Sequence, residues 1–227
     1  MTLFANRKDA AGKLAKRLLS FKEDEPVVLA LPRGGVPIGF VVAQALDAPL
    51  DLLLVRKIGA PGQPELAVGA VVNGTRAETV LNDDIVAMLG VPKEYIEQES
   101  ARQLAEIKRR RALYLADRPP IDATGKTAIV VDDGIATGAT VRAALRAVRR
   151  TAVKQLVLAV PVAPADTVES LHSEVDELIY LAMPDCFGAI GYFYEDFSQI
   201  SDEEVIDLIR QSQRTAAPQA GESESGT

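Results

Sequence analysis

The chain has 227 residues, 48% of them hydrophobic, which suits one elaborated α/β domain with a sizeable core. A net charge of −7 and a pI of about 4.9 argue against non-specific nucleic-acid binding by the whole chain. A single cysteine (Cys186) excludes an internal disulfide, a single histidine (His172) leaves no zinc cluster, and no apolar run reaches bilayer length, so a soluble cytoplasmic protein without a membrane partner is expected.

Along the chain, Ala10, Ala11, Leu14 and Leu18 recur at helical spacing and predict an amphipathic helix over 6–20. Residues 27–31 read as a buried strand, broken by Pro32-Arg33-Gly34-Gly35 before a helix over 36–46. A strand over 50–55 follows, then a Gly- and Pro-rich loop over 56–65. Strands over 67–72 and 78–81 flank an Asn73-Gly74 turn and suggest a hairpin. Residues 82–116 read as mostly helical, with a break at Gly90-Val91-Pro92 and Pro92 in the first turn of the second helix. After a strand over 128–131 come a helix over 141–150, a strand over 155–160, a helix over 165–172 and a strand over 178–182. An aromatic, Gly-containing stretch over 187–197 precedes a final helix over 202–211, with Ser201 as N-cap and Glu204 completing a capping box. From residue 215 the composition is that of a disordered tail. Strands alternating with helices point to a doubly wound, mainly parallel sheet.

The most informative stretch runs from Ala128 to Thr140. A short apolar strand ends in Asp132-Asp133, and a small-residue turn (Ala136, Thr137, Gly138, Ala139, Thr140) then opens a helix. Acids at the carboxyl end of a strand suit hydroxyls or a metal, and a helix N-terminus suits a phosphate. Together they describe a sugar-phosphate site. Adjacent strand residues face opposite ways, so both acids serve one ribose only if the strand ends between them.

This stretch resembles the ribose-phosphate loop of the type I phosphoribosyltransferases, which use phosphoribosyl pyrophosphate (PRPP). The resemblance implies that Asp132 and Asp133 hold the ribose hydroxyls, with a metal directly or through water, and that Ala136–Thr140 cradles the 5′-phosphate. It implies that Arg33, Gly34 and Gly35 form the pyrophosphate loop. It also implies that Arg56 and Lys57 neutralise the leaving pyrophosphate, beside a mobile lid over 58–66 with Gly59 and Gly62. Ala136 stands where 6-oxopurine enzymes of the family carry an acid. Together with the stretch from Arg56 to Pro61, that likens the chain to the adenine group and makes Glu65 an acid–base candidate. Phe187 and Tyr192, in a hood over about 184–200, are acceptor candidates by stacking.

One phosphoribosyltransferase domain over 1–214 is therefore expected, with a helical insertion at about 82–116 and a tail over 215–227. Its expected activity is phosphoribosyl transfer from PRPP to a nitrogen of a nucleobase-like acceptor, with Mg²⁺ as cofactor and a role in nucleotide metabolism. A homodimer is compatible with the family. The competing reading is a non-catalytic PRPP- or nucleotide-binding regulator of the same fold. Lys108 to Arg111 spread around a helix, and pairs such as Glu106–Arg110 account for them better than an anionic acceptor does.

Overall fold

A computed structural model describes residues 2–74, 77–116 and 118–216. Its centre is a five-stranded sheet in the order β2 (Leu50–Leu52), β1 (Pro26–Ala30), β6 (Thr127–Val131), β7 (Gln155–Val162), β8 (Glu177–Ala182), with every pairing parallel. All five residues of β1 and of β6 are buried, as continuous apolar runs covered on both faces require. Successive side chains alternate between two cores. Val28, Ala30, Ile129 and Val131 enter one core with α1 (Arg7–Leu18), α2 (Gly35–Leu46) and α7 (Asp202–Ala216). Val27, Leu29, Ala128 and Val130 enter the other with α5 (Ala139–Arg149) and α6 (Ala165–Leu171). This is the doubly wound arrangement expected from the alternation of strands and helices.

A second, antiparallel sheet joins β3 (Val55–Ala60), β4 (Gln63–Val72) and β5 (Glu78–Leu81). Two expectations change here. The single strand over 50–55 is two strands in different sheets, β2 and β3. The loop over 56–65 is largely the β3–β4 hairpin, turning at Pro61-Gly62 with Gly62 at φ +72°. Its Gly- and Pro-rich, half-exposed composition conceals the pairing. Two helices, α3 (Asp83–Leu89) and α4 (Lys93–Leu115), account for the insertion. Asn82 caps α3 by accepting from the Ile85 N–H, and Pro92 stands at the N-cap of α4 rather than inside its first turn.

Ser201 caps α7, its Oγ accepting from the Glu204 N–H at 3.1 Å. The helix runs to Ala216, five residues beyond the expected end, so the tail cannot begin at 215; its remainder, 217–227, lies outside the described residues.

Candidate active site

The strand order changes direction at β1: the chain moves from β1 outward to β2 on one side, while β6, β7 and β8 lie on the other. Open α/β sheets bind ligands at such a switch point, beyond the carboxyl ends of the strands. The register pairs Ala30 with Val131, so the loop after β1 and the acids after β6 leave the sheet side by side. The Leu31 N–H donates to the Val131 carbonyl at 3.0 Å and extends that contact by one residue. The Pro32–Arg33 peptide is cis. Gly34 and Gly35 lie directly on the acid pair. A methyl at Gly34 would overlap the Asp133 carboxylate, and one at Gly35 would stand 2.7 Å from the Val131 carbonyl oxygen. Glycine is required at both positions by this close approach.

The two carboxylates lie against each other and differ in their other partners. Asp132 is half-buried, and its Oδ1 accepts from the Asp133 N–H at 2.8 Å. Burial, and then the adjacent Asp133 charge, push its pKa well above the ordinary carboxylate value. Asp133 is buried and receives the Arg7 Nε–H at 2.7 Å. Burial raises its pKa too, and the Arg7 guanidinium opposes that shift. Arg7 also donates to the Ser198 carbonyl at 2.8 Å and lies 3.8 Å from the centre of the Phe197 ring. The Tyr194 hydroxyl donates to the Asp133 carbonyl at 2.6 Å, and its burial raises the phenol pKa.

After the acids, the Ile135 N–H is fixed to the Val162 carbonyl at 2.9 Å, and the Thr167 hydroxyl donates to the Ala136 carbonyl at 2.7 Å. Gly138 caps α5 at φ +73°, a left-handed conformation natural to glycine. The first intrahelical bond from this cap is donated by Arg142, so the amides just before it are free for an anion. Ala136, Thr137, Ala139 and Thr140 stand at the surface around them, with Gly138 buried beneath. A cleft of about 800 Å³ lies between Ala136 and Thr137, the Asp166–Thr167 segment, and Asp185, Phe187 and Gly188 of the hood. Tyr192, by contrast, is an exposed side chain packed beside Gly188, and it does not line that cleft.

Arg56 and Lys57 fall on opposite faces of β3. Arg56 is paired with core residue Val71, and its Nε donates to Gln103 Oε1 on α4 at 3.1 Å. Lys57 is paired with Ala70, which lines a second cleft of about 400 Å³ with Glu65, Thr137 and Ala139. Lys57 Nζ reaches the Glu65 carboxylate at 3.1 Å. The hairpin thus brings Lys57 and Glu65 toward the α5 turn and directs Arg56 toward the helical insertion.

Arg33 has a partner the sequence did not suggest. Its guanidinium lies 3.7 Å from Asp202 at the start of α7, and the Tyr114 hydroxyl donates to the same carboxylate at 2.6 Å. Burial, and then that hydrogen bond, push Tyr114 up to about 12. Arg7, Tyr194 and Asp202 are thus site residues that sequence reasoning missed. The signal for Arg7 was its place on the apolar stripe of its helix, in step with Ala11, Leu14 and Leu18. Of the basic run, Arg109 and Arg110 both bind Glu106 at 2.8 Å, while Arg111 reaches buried Asp51 at 3.4 Å. His172 and Cys186 are exposed. Among the described residues no three His, Cys, Asp or Glu side chains converge to hold a metal, and no helix is long and apolar enough to cross a membrane.

The phosphoribosyl transferase domain family matches residues 2–182. Over 217 residues the chain is 44% identical to "Putative phosphoribosyl transferase Rv0571c" of Mycobacterium tuberculosis, a match that covers 96% of this chain and 48% of that protein. The chain therefore spans about half the length of the curated relatives it matches. The crystal structure of the protein TT1426 from Thermus thermophilus is 40% identical, with a TM-score of 0.81 over 92% of this chain and 99% of that one. A family match over most of the chain, on a fold whose switch point carries this loop and acid pair, makes the chain a member of the phosphoribosyl transferase domain family.

Proposed function

We propose that the chain transfers a 5-phosphoribosyl group from PRPP to a ring nitrogen of a nucleobase-like acceptor and releases pyrophosphate. The observation that carries this reading is the packing of the Arg33–Gly35 loop on the Asp132-Asp133 pair at the switch point, with a free helix N-terminus shortly after the acids in the chain. A diphosphate, a ribose and a 5′-phosphate then have adjacent seats. In this reading the 5′-phosphate accepts from the amides at the start of α5, and Asp132 accepts from ribose hydroxyls. The pyrophosphate lies along the backbone of the Arg33–Gly35 loop.

The acceptor nitrogen attacks C1′ with its lone pair while the C1′–O bond breaks, and that electron pair leaves on pyrophosphate. Lys57 offsets the charge that grows on the leaving group, which is most effective once water is excluded. The proton released from the acceptor passes to Glu65 or to water. Phe187 stacks on the acceptor in the 800 Å³ cleft. Mg²⁺ would enter with the substrate and help offset the diphosphate charge; Asp132 would hold it directly or through water, since Asp133 is committed to Arg7.

The test is incubation of Mg²⁺ and PRPP with a panel of purine and pyrimidine bases, following pyrophosphate release. Base-dependent release by at least one member is expected. Tight PRPP binding with no turnover across the panel refutes the transferase and favours a PRPP-binding regulator.

A further inference from the structure

Two carboxylates stand side by side in the ribose-phosphate loop, yet only one of them is held by a cation. Asp133 is 7% exposed and Arg7 9% exposed, and they meet at 2.7 Å. The guanidinium also meets the Ser198 carbonyl and the Phe197 ring face, so the hood holds Arg7 on two further sides. The hood also holds the Asp133 backbone through Tyr194. Another side of the Asp133 carboxylate is covered by Gly34. Left alone, that carboxylate would place a negative charge immediately beneath the loop that is to receive pyrophosphate.

We propose that Arg7 is a positioning residue: it neutralises Asp133 under the Arg33–Gly35 loop, leaving Asp132 as the sole carboxylate for ribose and tying the hood to the ribose-phosphate loop. This rests on the PRPP reading above. A planar guanidinium meets the requirement because it binds carboxylate, carbonyl and ring face at once, which an ammonium does not. Asp132 remains half-buried beside it and has no cation of its own among the described ion pairs, so the task of recognising hydroxyls falls to it.

PRPP affinity measured by calorimetry with Mg²⁺, alongside thermal unfolding, separates the possibilities. Arg7→Met leaves Asp133 buried and unpaired, so both stability and PRPP affinity should fall, affinity by about tenfold or more. In Arg7→Met/Asp133→Asn the naked charge is gone, and most of the lost affinity should return with the lost melting temperature. Arg7→Lys should recover only part of either, because it keeps the charge without the fork. A double variant that regains stability but not PRPP affinity overturns the inference, since the ion pair would then contact PRPP directly. So does an Asp133→Asn variant that loses as much affinity as Asp132→Asn. If the unaltered protein binds no PRPP, the reading of function fails as well; if it binds and there is no rescue, this inference alone fails.

Discussion

Replacing Gly34 by alanine tests the join between the pyrophosphate loop and the acids more sharply than any charge substitution, because it adds one methyl group and no polarity. That methyl would overlap the Asp133 carboxylate, with even the farther oxygen only 2.8 Å away. The carboxylate cannot swing clear at little cost, since Arg7 holds it at 2.7 Å and its own backbone is fixed through Tyr194. If the loop yields, the cost is that of overpacking, about 1–3 kcal/mol. If the acid is expelled from Arg7 instead, a buried pair is broken and the cost rises to about 3–5 kcal/mol. Urea unfolding should show a lower midpoint with an unchanged slope, and PRPP binding should weaken because the loop has moved. Gly12→Ala is the control: nothing lies within 4 Å of its added methyl in α1, so it should stabilise by roughly 0.5–1 kcal/mol. A Gly34→Ala protein as stable and as tight for PRPP as the unaltered one would refute the packing argument.

Three further outcomes are expected. Lys57→Ala should lower kcat by about 10²–10³ with little change in PRPP affinity, whereas Arg56→Ala, which faces Gln103, should act mainly on stability; steady-state kinetics beside melting curves distinguish them. Tyr194→Phe removes a buried donor to the Asp133 carbonyl and should cost about 1–3 kcal/mol in urea unfolding. Glu174 accepts from Arg142 and Arg146, chiefly the latter, which holds its pKa below the ordinary 4.5. Its contribution is therefore complete above that value and fades as pH falls through the lower, folded one. Glu174→Gln should accordingly be less stable at pH 7, by about 1 kcal/mol, and should converge with the unaltered protein in acid; denaturant curves at several pH values read the difference.

Much of the sheet was legible because its central strands are buried on both faces. The apolar runs over 27–31 and 128–131 leave little alternative to β1 and β6, and the turn residues that follow them mark the loops of the site. The hairpin was not legible over 56–65, where pairing between Lys57 and Ala70 decides the structure and the local composition favours a loop. The same pairing determines which basic residue faces the cleft: strand alternation separates Arg56 from Lys57, although sequence proximity had grouped them. Alternation does not separate the acids, because β6 ends at Val131 and both Asp132 and Asp133 lie beyond the strand, where their carboxylates meet. Arg7 was only half legible: its place on the apolar stripe of α1 marks a buried guanidinium, but 126 residues separate it from Asp133 and nothing local names that partner. The extra turns of α7 were hidden by the polar composition of its end.

The central claim, a PRPP site at the β1/β6 switch point, is tested most directly by calorimetric titration of the protein with PRPP in the presence of Mg²⁺, repeated with Asp132→Asn. A single saturable site is expected, weakened by about 10- to 100-fold on loss of a charged acceptor. No binding, or equal binding by the two proteins, would contradict the account.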